Sequence, residues 1–527
     1  MLLLGVLAVG LAGCGEHEAP AGTLERGLAA DPESLDPHKS RSTESGEVLR
    51  DLGEGLMGYG PDGELAPRGA ERVEVSEDGL EYTFQLRPAA RWSNGDAVTA
   101  RDFVYSFQRL LDPATAAFYA QSVIDIGHAP EILAGDRPTG DLAATAIDDY
   151  ELSIRLSKPT PYFLSLLTHP STFPVYRPAI AQHGSAFARP GRLVTNGPYS
   201  LAGWELGSLI TLERNPHYWD DASTSIDRVR WHVIPEPSVE VNRYRAGELH
   251  ITANVPPEAF AQMREERPEE LRVAQKLGIY YYGFNLKQLP FRDNPKAREA
   301  LSMAIDRDVL ARRIVGRGEI PAYSWVPPGV DNYTGPSLPI AGMTAEERRA
   351  AARRAYEDAG YGAEHPLEVE IRYNTSDAHQ RIAVAIQSMW RDTLGVEATL
   401  INEEFQVLLS NVQAAEITEV FRLSWSADYN DAYAFLQVLQ SDASSNLTGY
   451  SNANFDQLMR DAAAQADPEA RRLCLEEAER EMLADHPVIP LYFYVSKHLV
   501  SPLVGGWQDN VLDYHYSQHL QLRSPIS

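Results

Sequence analysis

FRLSWSADYNDAY, residues 421–433, is an extended run feeding a helix, and it gathers an arginine, a tryptophan and an aspartate close together: Arg422, Trp425 and Asp428. A carboxylate such as Asp428 receives an ammonium group, a guanidinium such as Arg422 forks onto a carboxylate, and an aromatic wall such as Trp425 accepts an extended chain with any side chains. Together they suit a zwitterion. The same residues have a second reading, in which Asp428 or Asp431 caps a helix starting near Ala432, Trp425 is core and Arg422 is a surface strand residue. Taken alone, the stretch leaves both open.

The chain around it is 527 residues long, beyond the size at which one core keeps growing, so two or more domains are expected. A formal net charge of -27, from 47 Lys+Arg against 74 Asp+Glu, opposes attraction to nucleic acid or anionic lipid and favours a cationic or zwitterionic ligand. There are two cysteines. Cys14 closes an apolar N-terminal run too short to span a membrane but suited to a signal peptide, and Leu11-Ala12-Gly13-Cys14 reads as a lipobox. Residues 1–13 are therefore expected to be a lipoprotein signal peptide, with Cys14 lipidated, the protein exported, and the membrane reached by that anchor alone. An ordinary secretory signal cleaved elsewhere is the alternative.

Outward from the central stretch, the pattern alternates strands and helices. Tyr82, Phe84 and Leu86 alternate on a half-buried strand, Thr99 and Asp102 make a capping box before an amphipathic helix, and residues 151–156 alternate again. Residues 54–177 thus read as a compact α/β insertion. Gly53, Gly55 and Gly58 spell a GxGxxG, yet a helical pattern precedes them and a Pro-Asp-Gly turn at 61–63 follows, which is the wrong context for a dinucleotide loop. Residues 227–234 read as a strand, and 242–251 as a helix ended by Gly247 leading into another.

Tyr280, Tyr281 and Tyr282 must point to alternate faces of a strand, so one face is aromatic and open either to a ligand or to core packing. Asn294 and Pro295 start a helix, and Thr344 with Glu347 boxes another. The strand at 367–373 runs into a helix whose first turn carries His379, where the macrodipole favours an anion. A helix over 468–482 precedes a buried strand at 487–495.

No HExxH, CxxC, Walker loop or GxSxG is present, and the histidines are scattered rather than spaced as a metal cage. No enzyme, metal or cofactor is expected.

Several ordered motifs carry a resemblance: SLDPHK (34–39), RWSNGDAVTARDFVYSFQRLLDP (91–113), VTNGPY (194–199), LERNPHYWD (212–220), VNRYRAGE (241–248), GEIPAYSW (318–325), YNTSDAH (373–379) and WSADYN (425–430). The chain resembles the periplasmic oligopeptide-binding proteins of ABC importers, extracellular solute-binding protein family 5. The resemblance implies an α/β, two-lobed periplasmic binding protein fold of type II with an extra small α/β domain and the ligand in the interlobe cleft. Lobe I would comprise residues 14–53, 178–279 and 496–527, the small domain 54–177, and lobe II 280–495. It further implies a monomer that binds short peptides in extended form and delivers them to an inner-membrane ABC permease and its ATPases. Asp428 falls on the family's aspartate for the peptide amine, and Arg422 and His379 on its carboxylate receivers. The peptide-contacting walls and backbone fall on Tyr119, Trp425, Ser424, Ser426, Arg41, Thr43, Tyr280, Tyr282, Phe405 and Tyr494.

The chain departs from the family at several points. The lysine for another peptide length falls on Val315, with Arg317 nearby, and the disulfide cysteines fall on Gly278 and Ser426. An acidic residue near the peptide is replaced around Arg41, and a further arginine by Gln413. A specialised binder of murein peptide, dipeptide or nickel, and a peptide-sensing or chaperone-like protein, are the alternatives; loss of a cation at Gln413 argues against the murein ligand.

Overall fold

The computed structural model describes residues 22–414 and 419–523. The apolar run with Cys14 lies outside the described residues. Three sheets, each with a core of its own, account for most of the chain.

The largest is a six-stranded mixed sheet in the order Ile320–Pro321, Val488–Leu499, Leu271–Phe284, Val420–Ser426, Glu368–Asn374, Glu397–Glu403. Strand Val420–Ser426 runs antiparallel to Leu271–Phe284 and parallel to Glu368–Asn374. Helix Pro295–Ala304 starts where the sequence demands, with the Asn294 side chain accepting from the Ala297 N–H at 3.1 Å. Helix Asp377–Leu394 buries Ile382, Ile386 and Trp390 against this sheet's core.

The second sheet orders Thr23–Leu28, Arg228–Val233, Leu209–Arg214 and Tyr199–Glu205, and packs on helix Thr43–Leu52. The third is antiparallel, Ala70–Val75, Glu81–Leu86, Glu151–Arg155 and Ala144–Ala146, with helix Ala100–Leu111 beside it. Tyr82, Phe84 and Leu86 all point into its core, as their alternation requires. Asp102 accepts from the Thr99 N–H at 2.8 Å, tying off that helix start.

Two long strands tie the largest body to the second. The inner part of Leu271–Phe284 pairs with residues 488–493 inside the large body. Beyond a register shift between Gln275 and Ile279, its outer part pairs with residues 495–499. There Leu499 packs with Ile234, Val241 and Phe260, and Val500 bridges to Ile251. The result is a two-lobed α/β fold joined by a pair of crossing strands, with the small antiparallel domain attached.

Two local expectations are corrected, and one left open is decided. The helix expected at 242–251 runs Pro237–Arg245, because Pro237 takes a first-turn position where its missing N–H costs nothing; Ile251 then makes only isolated bridges, to Arg26 and Val500. Of the two readings of the tyrosine run, core packing is the one observed: Tyr280, Tyr281 and Tyr282 are all buried. The buried strand expected at 487–495 continues to Leu499, and Pro490 sits at a second register shift, where a missing ladder donor is tolerated. The GxGxxG glycines follow helix Thr43–Leu52 and lead into the hairpin Met57–Tyr59 with Leu65–Pro67, so no strand presents a phosphate loop.

Candidate functional site

Strand Val420–Ser426 sets the site. Its register places Arg422 opposite Tyr282, Ser424 opposite Tyr280 and Ser426 opposite Gly278, so these six share one sheet face. The two family cysteine positions are thus direct cross-strand neighbours, filled here by Gly278 and Ser426. Ser424 and Ser426 are exposed, whereas Arg422 is buried at 6% exposure.

Around Arg422 a cluster has formed from distant segments. Its guanidinium donates to Asn374 Oδ1 at 3.0 Å and to the Tyr494 hydroxyl at 3.2 Å, and lies 4.5 Å above the Tyr280 ring. Tyr280 is itself stacked on Tyr492 at 4.6 Å, and its hydroxyl meets His379 Nδ1 at 3.1 Å. Among the described residues, no carboxylate pairs with Arg422, and its Nε is buried without a partner. Burial, and after it the Arg422 charge, push the His379 imidazole down to about 4, so it is neutral at physiological pH. The buried guanidinium thus has aromatic and amide neighbours and, among the described residues, no carboxylate partner.

Asp428 lies two residues past the strand end. It lines a pocket with Tyr119, Ser122, Tyr162, His169 and Tyr433, so it faces the small domain. Its carboxylate makes no hydrogen bond among the described residues; it is open to solvent, yet ringed by enough protein that desolvation raises its pKa, with Arg50 offsetting part of the rise. The capping role belongs to Asp431, which accepts from the Tyr433 N–H at 2.7 Å and pairs with Arg471 at 2.8 Å. Asp428 takes no part in that cap. Tyr162 of the small domain stacks on Tyr429 at 5.0 Å and on Tyr433 at 5.1 Å, which fixes that wall beside Asp428.

The remaining expected residues are placed less centrally. Trp425 is on the opposite sheet face from Arg422, and its indole N–H donates to the Ala434 carbonyl at 2.9 Å. Tyr119 packs on His169 at 4.3 Å and donates to the Arg41 carbonyl at 3.4 Å; the Arg41 guanidinium sits over Phe118 at 5.4 Å. Thr43 opens its helix beside a separate cavity at the crossing strands. Tyr282 is core with its hydroxyl unpartnered, and Phe405 is 41% exposed at the start of helix Phe405–Ala414. Arg317, the cation near Val315, is already held by Glu319 at 3.6 Å.

Sequence reasoning missed Asn374, Tyr492 and His169, although the first two lie inside segments it had singled out. It also missed a clustering of histidines. His498 and His515 converge on Asp513 Oδ1 at 2.9 and 3.3 Å, and Lys276 takes Oδ2 at 3.2 Å, at the crossing strands. Asp513 thereby has three donors, and the group reads as a polar anchor.

The fold is that of a two-lobed solute-binding protein. The family model for bacterial extracellular solute-binding proteins, family 5, matches residues 64–446, and the chain belongs to that family. It is 39% identical over 505 residues to the periplasmic oligopeptide-binding protein OppA of Salmonella typhimurium, covering 95% of this chain and 92% of that protein. Among solved structures, it is similar to the murein tripeptide-binding protein MppA in its unliganded open form, with TM-score 0.88, 34% identity and coverage of 96% of this chain and 98% of that one. Against the Haemophilus influenzae OppA complex with RPPGFSPFR the TM-score is 0.76 at 35% identity, covering 95% and 99%.

Proposed function

We propose that this protein is a receptor that binds short peptides in extended form in its interlobe cleft and delivers them to an inner-membrane ABC permease with its ATPases. The observation that carries the reading is the buried, anion-free Arg422 on the same stretch as the cation-free Asp428. Six residues of extended chain separate them, a reach of at most about 20 Å, which suits a peptide of a few residues with its carboxylate at Arg422 and its amine at Asp428. Each such ion contact at an effective dielectric near 20 is worth roughly 4 kcal/mol before desolvation, enough to set register without reading side chains. Main-chain pairing along the exposed Ser424 and Ser426 edge would add affinity of the β-augmentation kind. Oligopeptide and murein-peptide binding by the relatives supports the same reading, as does their periplasmic location.

In this account residues 14–53, 178–279 and 496–527 move as one lobe with the small domain 54–177, and residues 280–495 as the other. Anchoring through a lipid on Cys14 rests on the lipobox, and labelling with a radioactive fatty acid tests it. The decisive experiment for the function is mass spectrometry of small molecules released when the purified soluble form is denatured. A mixture of short peptides of unrelated sequence is expected. A single species would replace the general receptor with a specialised binder, and repeated absence of any peptide would remove the reading.

A further inference from the structure

The joint between the two lobes holds a group of side chains with no part in the peptide reading. His498 lies on the crossing strand Val488–Leu499. Asp513 and His515 lie on the C-terminal segment beside it, which is also bonded to the other crossing strand, where the Leu277 N–H donates to the Val511 carbonyl at 2.9 Å. One ligand atom from each of the three stands within 4.8 Å of the other two. Together with Glu47 they line a cavity of about 70 Å³, room for an ion and a water or two to complete its shell.

His498 Nδ1 is 2.8 Å from the Thr252 carbonyl oxygen, an acceptor, so that nitrogen carries the proton of the neutral ring. Nε2 then presents a lone pair, yet it faces Asp513 Oδ1, a second acceptor, at 2.9 Å. Two acceptors at that distance need a positive charge between them, either a second proton or a metal ion. His515 brings another ring nitrogen to 3.3 Å from the same oxygen, and its ring is fixed by stacking on Trp507 at 3.6 Å. A proton serves one ring at a time, whereas a divalent ion serves both. Metal-binding histidines donate their other N–H to a carbonyl or carboxylate, as His498 does to Thr252. Nitrogen and oxygen ligands of tetrahedral zinc sit about 3.4 Å apart, close to the 2.9 and 3.3 Å at this group.

We propose that His498, His515 and Asp513 form a zinc site that ties strand Val488–Leu499 to the C-terminal segment and stiffens the joint of the lobes. The surroundings set its strength. Lys276 Nζ, 3.2 Å from Asp513 Oδ2, leaves Oδ1 to the rings, but its charge opposes a cation. Arg26 also lines the cavity and donates to the His515 carbonyl at 2.7 Å and the Ser517 hydroxyl at 2.9 Å. The Arg50 guanidinium is laid 3.6 Å over the Tyr514 ring and makes no ion pair with Glu47 among the described residues, so the Glu47 carboxylate offsets part of this positive charge. With three cations lining the cavity, zinc affinity is expected to be about micromolar, far weaker than at closed structural sites.

The test is calorimetric titration of zinc chloride into the untagged soluble protein after stripping with a chelator, with the melting temperature read alongside. One equivalent is expected to bind with a Kd of about 1 μM near pH 7.5 and to raise the melting temperature by a few degrees. Protons compete for both rings, so affinity should fall about tenfold or more by roughly pH 5.5. Magnesium and calcium, which take oxygen cages, should produce neither effect. His498→Gln and His515→Gln should each weaken zinc about tenfold or more. A wild-type protein without a one-equivalent zinc site overturns the proposal. So does zinc binding undiminished in either folded variant, which would mark an adventitious ion only. Should both variants fail to fold, anomalous scattering at the zinc edge from wild-type crystals decides: an ion between His498 and His515 supports the site, and an ion elsewhere or none overturns it.

Discussion

The two ends of the candidate site are built on opposite principles. At the Arg422 end every partner belongs to the large sheet's body: Asn374, Tyr494 and the Tyr280 ring hold the guanidinium in place before any ligand arrives, and His379 is bonded to the Tyr280 hydroxyl. At the Asp428 end the carboxylate has no hydrogen bond of its own among the described residues, and its facing wall comes from another domain through Tyr119, Tyr162 and His169. The first end is preorganised, so little side-chain entropy is lost there on binding. The second depends on how the small antiparallel domain sits against the large sheet's body, because its facing wall comes from there. On the proposed function, the division gives the carboxylate a fixed point in one body and leaves the amine end to the contact between two.

The largest effect is expected at the amine end. Asp428→Asn should weaken free-amine peptides about a hundredfold and N-acetylated ones hardly at all, since only the former leave a charge unpaired. Equal losses by calorimetry would take Asp428 out of the amine role. Next, Arg422→Gln should weaken peptides with a free C-terminus about tenfold, less than Asp428→Asn because His379 still offers a donor. The empty variant should melt within a few degrees of the wild type, because losing the hydrogen bonds to Asn374 and Tyr494 is offset by removing a buried charge that has no carboxylate partner. A large fall in melting temperature would show that Arg422 is structural.

The ends should also titrate in opposite directions. His379, held near 4 when empty, gains a carboxylate neighbour on binding, so its pKa rises and N-acetylated peptides should bind more tightly as pH falls from 7 toward 5. Asp428, raised when empty, is pulled down by an amine, so C-amidated peptides should bind more weakly as pH falls into the carboxylate range. Parallel pH profiles for the two peptide types would break the comparison. The smallest effect is expected for Tyr494→Phe, a loss of about twofold for free-carboxylate peptides, because Asn374 still orients the guanidinium.

Much of this architecture was legible in the sequence because its signals are local. The alternation of Tyr82, Phe84 and Leu86 requires only the two-residue strand period, and the caps at Asn294 and Thr344 require only neighbours three residues on. The ordered motifs pointed to the family before any contact was known. The start of helix Pro237–Arg245 was missed because no apolar stripe marks its first turn, where Pro237 was the sole signal. The tyrosine run left two readings open for a different reason: alternation shows that side chains face both ways, and says nothing of what covers each face.

By itself the sequence determined the strands and helices, the absence of known catalytic motifs, and that Arg422 and Asp428 lie a few extended residues apart. Tertiary structure decided the rest. It brought Asn374, 48 positions away, and Tyr494, 72 positions away, onto Arg422, and His379, 99 positions away, onto Tyr280. It gave the helix cap to Asp431 and so freed Asp428, and it set Arg50 on Tyr514 instead of Glu47. The physical reason is that periodicity and capping are fixed by bonds within a few residues, whereas whether a charge is paired depends on which distant segments the packed sheets bring against it.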